Sequence, residues 1–198
     1  MAKMNLGAIQ ERARAGDVRA QAELGYRFAT GKGVRRDYRK AAYWDRLAAD
    51  RGEPSAQYNL AQSHFSGRGV EKDVARALHL FGSVWANLRA DDHLRAGAAV
   101  NLGWSARNGG RANDRVTART WYQRAGRLGD RSGFYNLGLL GVEQGPKEAA
   151  RYFRLGAALG HHKSMYELAR LYVNGEIGNA DAHLTAELVR TAARTVPR

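Results

Sequence analysis

The chain has 198 residues, no cysteine and only three prolines. Without thiols it can form neither a disulfide framework nor a thiolate metal site. It has no apolar run of the length a membrane helix needs. The opening stretch, MAKMNLGAIQERARAG, has neither the apolar core nor the cleavage site of a secretory leader. The expectation is a cytoplasmic protein with no membrane partner. Runs of β-branched residues alternating with polar ones are scarce, which argues against a sheet. Acid is scarce too: 19 Asp and Glu stand against 32 Lys and Arg, a formal net charge of +13. The excess is spread along the chain and is mostly arginine. Such a surface favours an acidic partner and suits nucleic acid as well, although an arginine-rich compositional bias would produce the same excess.

Catalytic constellations are also missing. The histidines are His64, His79, His93, His161, His162 and His183, and none has metal-ligand spacing such as H-E-x-x-H. His161 and His162 are adjacent, and adjacent helical positions do not face one site. Gly31-Lys32-Gly33 invites a phosphate-loop reading, but no strand precedes it and the G-x-x-x-x-G-K-[ST] spacing is absent. The reading is therefore a non-enzyme with no cofactor and no metal.

What the chain does have is a repeat. Ala56-Gln57-Tyr58-Asn59-Leu60-Ala61 follows Ala20-Gln21-Ala22-Glu23-Leu24-Gly25 by 36 residues. Gly67-x-Gly69-Val70-x-x-Asp73 follows Gly31-x-Gly33-Val34-x-x-Asp37 by the same 36. Agreement in residue type and spacing marks a repeat architecture. Each unit reads as two helices. The first runs from about Val18 to Thr30 and ends at Gly31 and Gly33, because glycine takes positive φ at little cost. Asp37 has N-cap chemistry for the second. That helix puts Ala41, Trp44, Leu47 and Ala48 on one face, with Trp44 supplying large buried area, and stops at Gly52.

The pattern A-Q-x-x-L-G-x-x-x-x-x-G-x-G-V-x-x-D-x-x-K-A-x-x-W-x-x-x-A-A-x-x-G over residues 20–52 resembles the Sel-one-like repeat family, which is related to the tetratricopeptide repeats. Residues 56–81 match well and the remainder in outline. The resemblance implies an all-α, right-handed α-solenoid of about five helix-turn-helix repeats with terminal capping helices. It implies binding of another protein on the concave face. Relatives act in signalling, in host interaction and as immunity partners of secreted toxins, so an inhibitor, immunity or adaptor role is the leading expectation, with a basic, nucleic-acid-binding solenoid as the alternative. A cell-wall hydrolase stands third, with no residues to assign to it.

The chain is read as a single solenoid over 1–198. Residues 4–16 form an N-terminal cap helix, and the repeats cover about 17–52, 53–88, 94–129, 130–160 and 161–195. The rhythm breaks once: Leu102 follows Leu60 by 42 residues, placing six extra residues between Val84 and Ala98. They are read as a second helix running on to about Ala90, followed by a longer connection or an extended next helix. In repeat four, Gly145-Pro146 starts the second helix, proline standing where no amide is needed. Ala182 to Ala193 reads as the C-terminal cap.

By analogy with tetratricopeptide repeats, the first helix of each pair lines the groove. That analogy nominates Tyr26, Tyr58, Gln62, Phe65, Trp104, Arg107, Tyr135, Tyr166 and Arg170 as partner-binding residues, aromatic rings and arginines being the side chains interfaces use as anchors. The tyrosines two positions before each leucine have packing between repeats as the competing role. A second, basic surface gathers seven arginines between 107 and 131, namely Arg107, Arg111, Arg115, Arg119, Arg124, Arg127 and Arg131. Arg35, Arg36, Arg39 and Lys40 form another group.

Overall fold

A computed structural model describes residues 6–109, 114–178 and 190. Among them are ten α-helices and no strand: α1 (Leu6–Arg14), α2 (Val18–Thr30), α3 (Tyr38–Ala49), α4 (Pro54–Ser66), α5 (Val74–Ala86), α6 (Asp92–Asn108), α7 (Asp114–Arg127), α8 (Arg131–Gly141), α9 (Pro146–Ala158) and α10 (His162–Val173). Two compact units are formed, residues 1–98 and 99–198.

In unit 1 each helix packs on the next from α1 to α5, and α2 also packs on α4. The helix boundaries follow from local chemistry. Asp17 caps α2 by accepting from the Ala20 amide at 3.0 Å. Asp37 accepts from the Arg39 and Lys40 amides at the start of α3, each at 3.0 Å, and Asp73 from Arg76 at 2.9 Å at the start of α5. Each cap satisfies a helix amide that would otherwise lack a partner. The core is made largely of alanine and leucine. Ile9, Ala13, Ala20, Leu24, Phe28 and Ala41 form one cluster, and Ala42, Ala48, Ala49, Ala56 and Leu60 another. Small side chains at these crossings let backbones approach closely. Close approach also occurs in the loop after α4, where a Cβ on Gly69 would collide with the backbone of Tyr38, and the φ of Gly69 is +77°.

Two side-chain ties recur with the repeat. The Gln21 amide donates to the Ala13 carbonyl at 3.1 Å, and the Gln57 amide to Ala49 at 3.4 Å. Arg51 donates to the Gly16 carbonyl at 2.5 Å, and the Asn87 amide to Gly52 at 3.2 Å. The glutamine of A-Q-x-x-L-G is thus a bridge back to the preceding helix.

The expected run of α5 to Ala90 is not observed. α5 ends at Ala86, because Asn87 takes an extended ψ of 112° and commits its side chain to Gly52 and to the Arg89 amide. A five-residue link follows, and Asp91 accepts from the Leu94 amide at 2.8 Å to start α6. α6 has 17 residues against 13 in α2 and α4, so the extra length of the third repeat lies in both the link and the helix. Arg95 holds the turn from within, its guanidinium 5.0 Å from the Trp85 ring centre and donating to the Trp85 carbonyl at 3.3 Å.

In unit 2, α7 packs on α8, α8 on α9, and α9 on α10. Tyr122, Leu137, Leu140, Tyr152 and Ala118 make one cluster; Phe153, Leu168, Leu171, Ala149, Ala150 and Ile177 make the other. Pro146 stands at the start of α9, as expected. Asp130 caps α8 through the Ser132 and Gly133 amides. The C-terminal cap helix expected at 182–193 lies outside the described residues, apart from Arg190.

Trp44 is not the buried large residue of its repeat. It is half-buried at the edge of the first cluster. The buried register is one position on, where Phe81, Tyr122 and Phe153 stand, each at 0% exposure. Their counterpart in the first repeat is Asp45, at 1%.

Candidate functional site

The nine nominated residues divide between the units. In unit 1, Tyr26 is 44% exposed on α2, with the Lys32 ammonium 5.6 Å from its ring centre. Tyr58 and Phe65 both turn toward Phe81, at 5.5 and 6.4 Å between ring centres, so each is partly committed to packing. Gln62 is exposed and donates to the Tyr58 hydroxyl at 2.9 Å.

In unit 2, Trp104 is 47% exposed on α6, and Arg107 is exposed one turn further on. Tyr135 is half-buried, 6.0 Å from Phe153 and 5.0 Å from His161 between ring centres. Burial raises its pKa, Glu167 raises it further, and the charge of Arg107 opposes them. Tyr166 is 59% exposed. Arg170 is held by its own neighbours, donating to Glu167 at 2.9 Å and lying 3.7 Å from Glu176.

The basic series of unit 2 is partly neutralised. Arg115 pairs with Glu143, and Arg119 lies 3.8 Å from Glu148. Arg124 lies over the Trp121 ring at 4.5 Å. Arg111 lies outside the described residues. The Arg35–Lys40 group is exposed, apart from an ion pair between Lys40 and Asp37 at 3.8 Å.

Two clefts in unit 1 were not legible in the repeat pattern. One, of about 180 Å³, is lined by Arg39, Arg46 and Arg76 with Tyr43 and His64. These arginines come from α3 and α5, and none is in a salt bridge among the described residues. The other, of about 220 Å³, is lined by Tyr38, Asp45, Tyr58, Asn59, Gln62 and Arg68, among others. Asp45 reaches it because Gly25 on α2 leaves no Cβ in its way. The Asn59 amide approaches the Asp45 carboxylate only at 3.5 Å. Burial raises the Asp45 pKa to about 7, opposed by the Asn59 amide. The signal in the sequence was a carboxylate standing where repeats two to four place a ring.

His161 of unit 2 is a buried histidine with a structural task. Its Nδ1 accepts from the Ser164 amide at 3.2 Å and so caps α10. Burial, then the positive neighbours His162, Arg131 and Lys163, lower its pKa to about 4. No group of three or more metal-ligating side chains occurs among the described residues.

The Sel1 repeat family model matches residues 18–53, 54–83, 96–130, 132–161 and 162–194. The chain belongs to the Sel1 repeat family. Its fold class is accordingly the all-α solenoid of five repeats. A Sel1 repeat protein from Oxalobacter formigenes is similar over 98% of this chain and 85% of its own, with 25% identity and a TM-score of 0.79. A protective antigen from uropathogenic Escherichia coli strains, displaying an SLR fold, is 29% identical over 94% of this chain and 40% of its own, with a TM-score of 0.77. Among curated proteins, the ERAD-associated E3 ubiquitin-protein ligase component HRD3B of Arabidopsis thaliana is 44% identical over 55 residues. That match spans 27% of this chain and 9% of the plant protein, a local likeness between repeats. Sel1 repeat proteins generally mediate protein–protein interaction. No helix among the described residues is long and apolar enough to cross a membrane.

Proposed function

We propose that this Sel1 repeat protein is a non-catalytic binding module for an acidic protein or peptide, serving in the cytoplasm as an inhibitor, immunity protein or adaptor. The observation that carries the reading is the cleft where Arg39, Arg46 and Arg76 converge, none of them in a salt bridge among the described residues, although Arg39 lies within reach of the Asp37 charge. Arginine presents a rigid fork of donors that matches a carboxylate. The net charge of +13 supports the same partner by steering an acidic surface toward the chain. Trp104 and Arg107 supply anchor chemistry in unit 2, where a half-exposed indole offers a large contact area at low entropic cost.

The test is affinity capture from the lysate of the host. Wild type is compared with Arg39→Glu plus Arg76→Glu, and with Trp104→Ala plus Arg107→Glu, all checked for helicity by circular dichroism. The expected result is one acidic protein, held by wild type and lost with the first double variant. Capture that both variants retain would remove the assignment. Binding of a generic duplex at ~50 mM salt, weakening linearly in log affinity against log salt, would replace it with the nucleic-acid reading.

A further inference from the structure

Asp45 departs from its repeat in a way that packing does not explain. Phe81, Tyr122 and Phe153 fill the corresponding position with fully buried rings. Tyr122 and Phe153 lie against the glycines at the position of Gly25, namely Gly103 and Gly138. A ring therefore suits this register. The first repeat instead buries a carboxylate, whose one hydrogen bond among the described residues is a long contact from Asn59. Burying a charge without a partner is costly. A buried carboxylate on the wall of a cleft is the complement of a cation that arrives from outside.

We propose that the cleft at Asp45 is a binding pocket for a single primary ammonium group, the head of a lysine side chain delivered by a protein partner. Size, lining and charge agree. At about 220 Å³ the cleft is smaller than the ~300–1,000 Å³ of small-molecule sites, and it suits one side chain. Tyr38 and Tyr58 line it and give an unbranched stem apolar surface to lie against, while the Tyr38 ring already has Arg36 and Arg68 beside it at 5.6 and 5.8 Å. The Asp45 carboxylate and the Asn59 side-chain carbonyl are acceptors for ammonium protons, while the Tyr58 hydroxyl already accepts from the Gln62 amide. Asp45 is the carboxylate among the lining residues, so one positive charge is neutralised and no more. Arg68, whose guanidinium lies 5.8 Å from the Tyr38 ring centre, is the like charge at the cleft and weakens the site by repulsion. The delivery by a protein rests on the function proposed above; the ammonium site does not.

The experiment reads the head group without a partner. The Asp45 side-chain carboxyl is titrated by carbon NMR in the full chain, in n-butylammonium chloride and in sodium chloride of equal ionic strength. The charged and titratable groups that line the cleft with Asp45 are Tyr38 on α3, Tyr58 on α4 and Arg68 on the loop after it, and Arg36 lies against the Tyr38 ring. An ammonium ion that binds favours the carboxylate, so the midpoint, about 7 in the free protein, falls by about one pH unit in butylammonium alone. Saturable shifts appear at Asn59 and Gln62. Asp45→Asn, checked for an otherwise intact spectrum, abolishes them, and Arg68→Ala tightens binding several-fold. The proposal is overturned if the midpoint is the same in both salts, if Asp45→Asn responds like wild type, or if sodium acetate reproduces the response. Failure to capture any partner protein would leave a positive result here standing, and a null result here would leave the arginine cleft untouched.

Discussion

Unit 1 and unit 2 solve the same packing problem with different chemistry. In unit 1 successive repeats are tied by side chains that reach back to backbone carbonyls, through Gln21, Gln57, Arg51 and Asn87. In unit 2 the glutamine register holds Ala99, Phe134 and Met165, and Phe134 packs directly against Gly126. The buried second-helix position contrasts further, with Asp45 and Phe81 in unit 1 and Tyr122 and Phe153 in unit 2. One scaffold thus tolerates a carboxylate, a phenol or a phenyl ring at one register, with a glycine facing Asp45, Tyr122 and Phe153. The ionisable groups buried in the two units respond to pH in opposite directions.

Asp45 gives the largest expected effect. Its carboxyl is harder to ionise in the folded chain than in the unfolded one. The folded state therefore keeps a proton between pH 3.8 and about 7 that the unfolded state has released. The stability this confers is complete below that window and is lost as pH rises through 7, by up to about 4 kcal/mol. Urea titrations at pH 4.5, 6 and 8, followed at the Leu24 amide by NMR, should show unit 1 weakening with pH. Asp45→Asn should flatten the trend, and an unchanged trend would remove Asp45 as its source.

His161 should give the opposite slope in unit 2. It stays neutral in the fold down to about pH 4, whereas the unfolded chain takes up its proton near 6.5. Stability is full above 6.5 and falls by up to about 3 kcal/mol on the way to 4. The Leu137 amide in the same titrations reports it. His161→Asn keeps an N-cap acceptor and should remove the acid sensitivity.

Gly69→Ala should cost about 2–3 kcal/mol, since it combines positive φ with a collision against Tyr38. Gly129→Ala shares the positive φ but meets nothing within 4 Å, and should cost about 1 kcal/mol. Equal melting shifts for the two would show that close approach adds nothing at Gly69. The smallest effect is a gain. The Tyr122 hydroxyl is buried with no hydrogen-bond partner among the described residues, and burial raises its pKa to about 12. Tyr122→Phe should therefore stabilise by about 1 kcal/mol in thermal melts.

The helix pairs were legible in the sequence because their determinants are local. Capping aspartates, stop glycines and small residues at helical spacing act within a few residues of where they stand. The candidate site was legible only in part. Trp104, Tyr166 and Tyr26 are exposed as a groove residue must be, whereas Tyr58, Phe65 and Tyr135 share their rings with the core. The same aromatic signature serves both purposes, and spacing does not separate them.

The sequence by itself determined the repeat, the helix order and the family, because each follows from the types of residues close together in the chain. Tertiary structure alone decided which second-helix position is buried, that α5 stops at Ala86, and that Arg39, Arg46 and Arg76 share a cleft. It also decided that Asp45 lies buried beside Gly25, with the Asn59 amide 3.5 Å from its carboxylate. The physical reason is that burial and convergence depend on which helix faces arrive opposite one another. A shift of one residue along a helix turns a side chain by about 100°, enough to exchange Trp44 at the edge for Asp45 in the core.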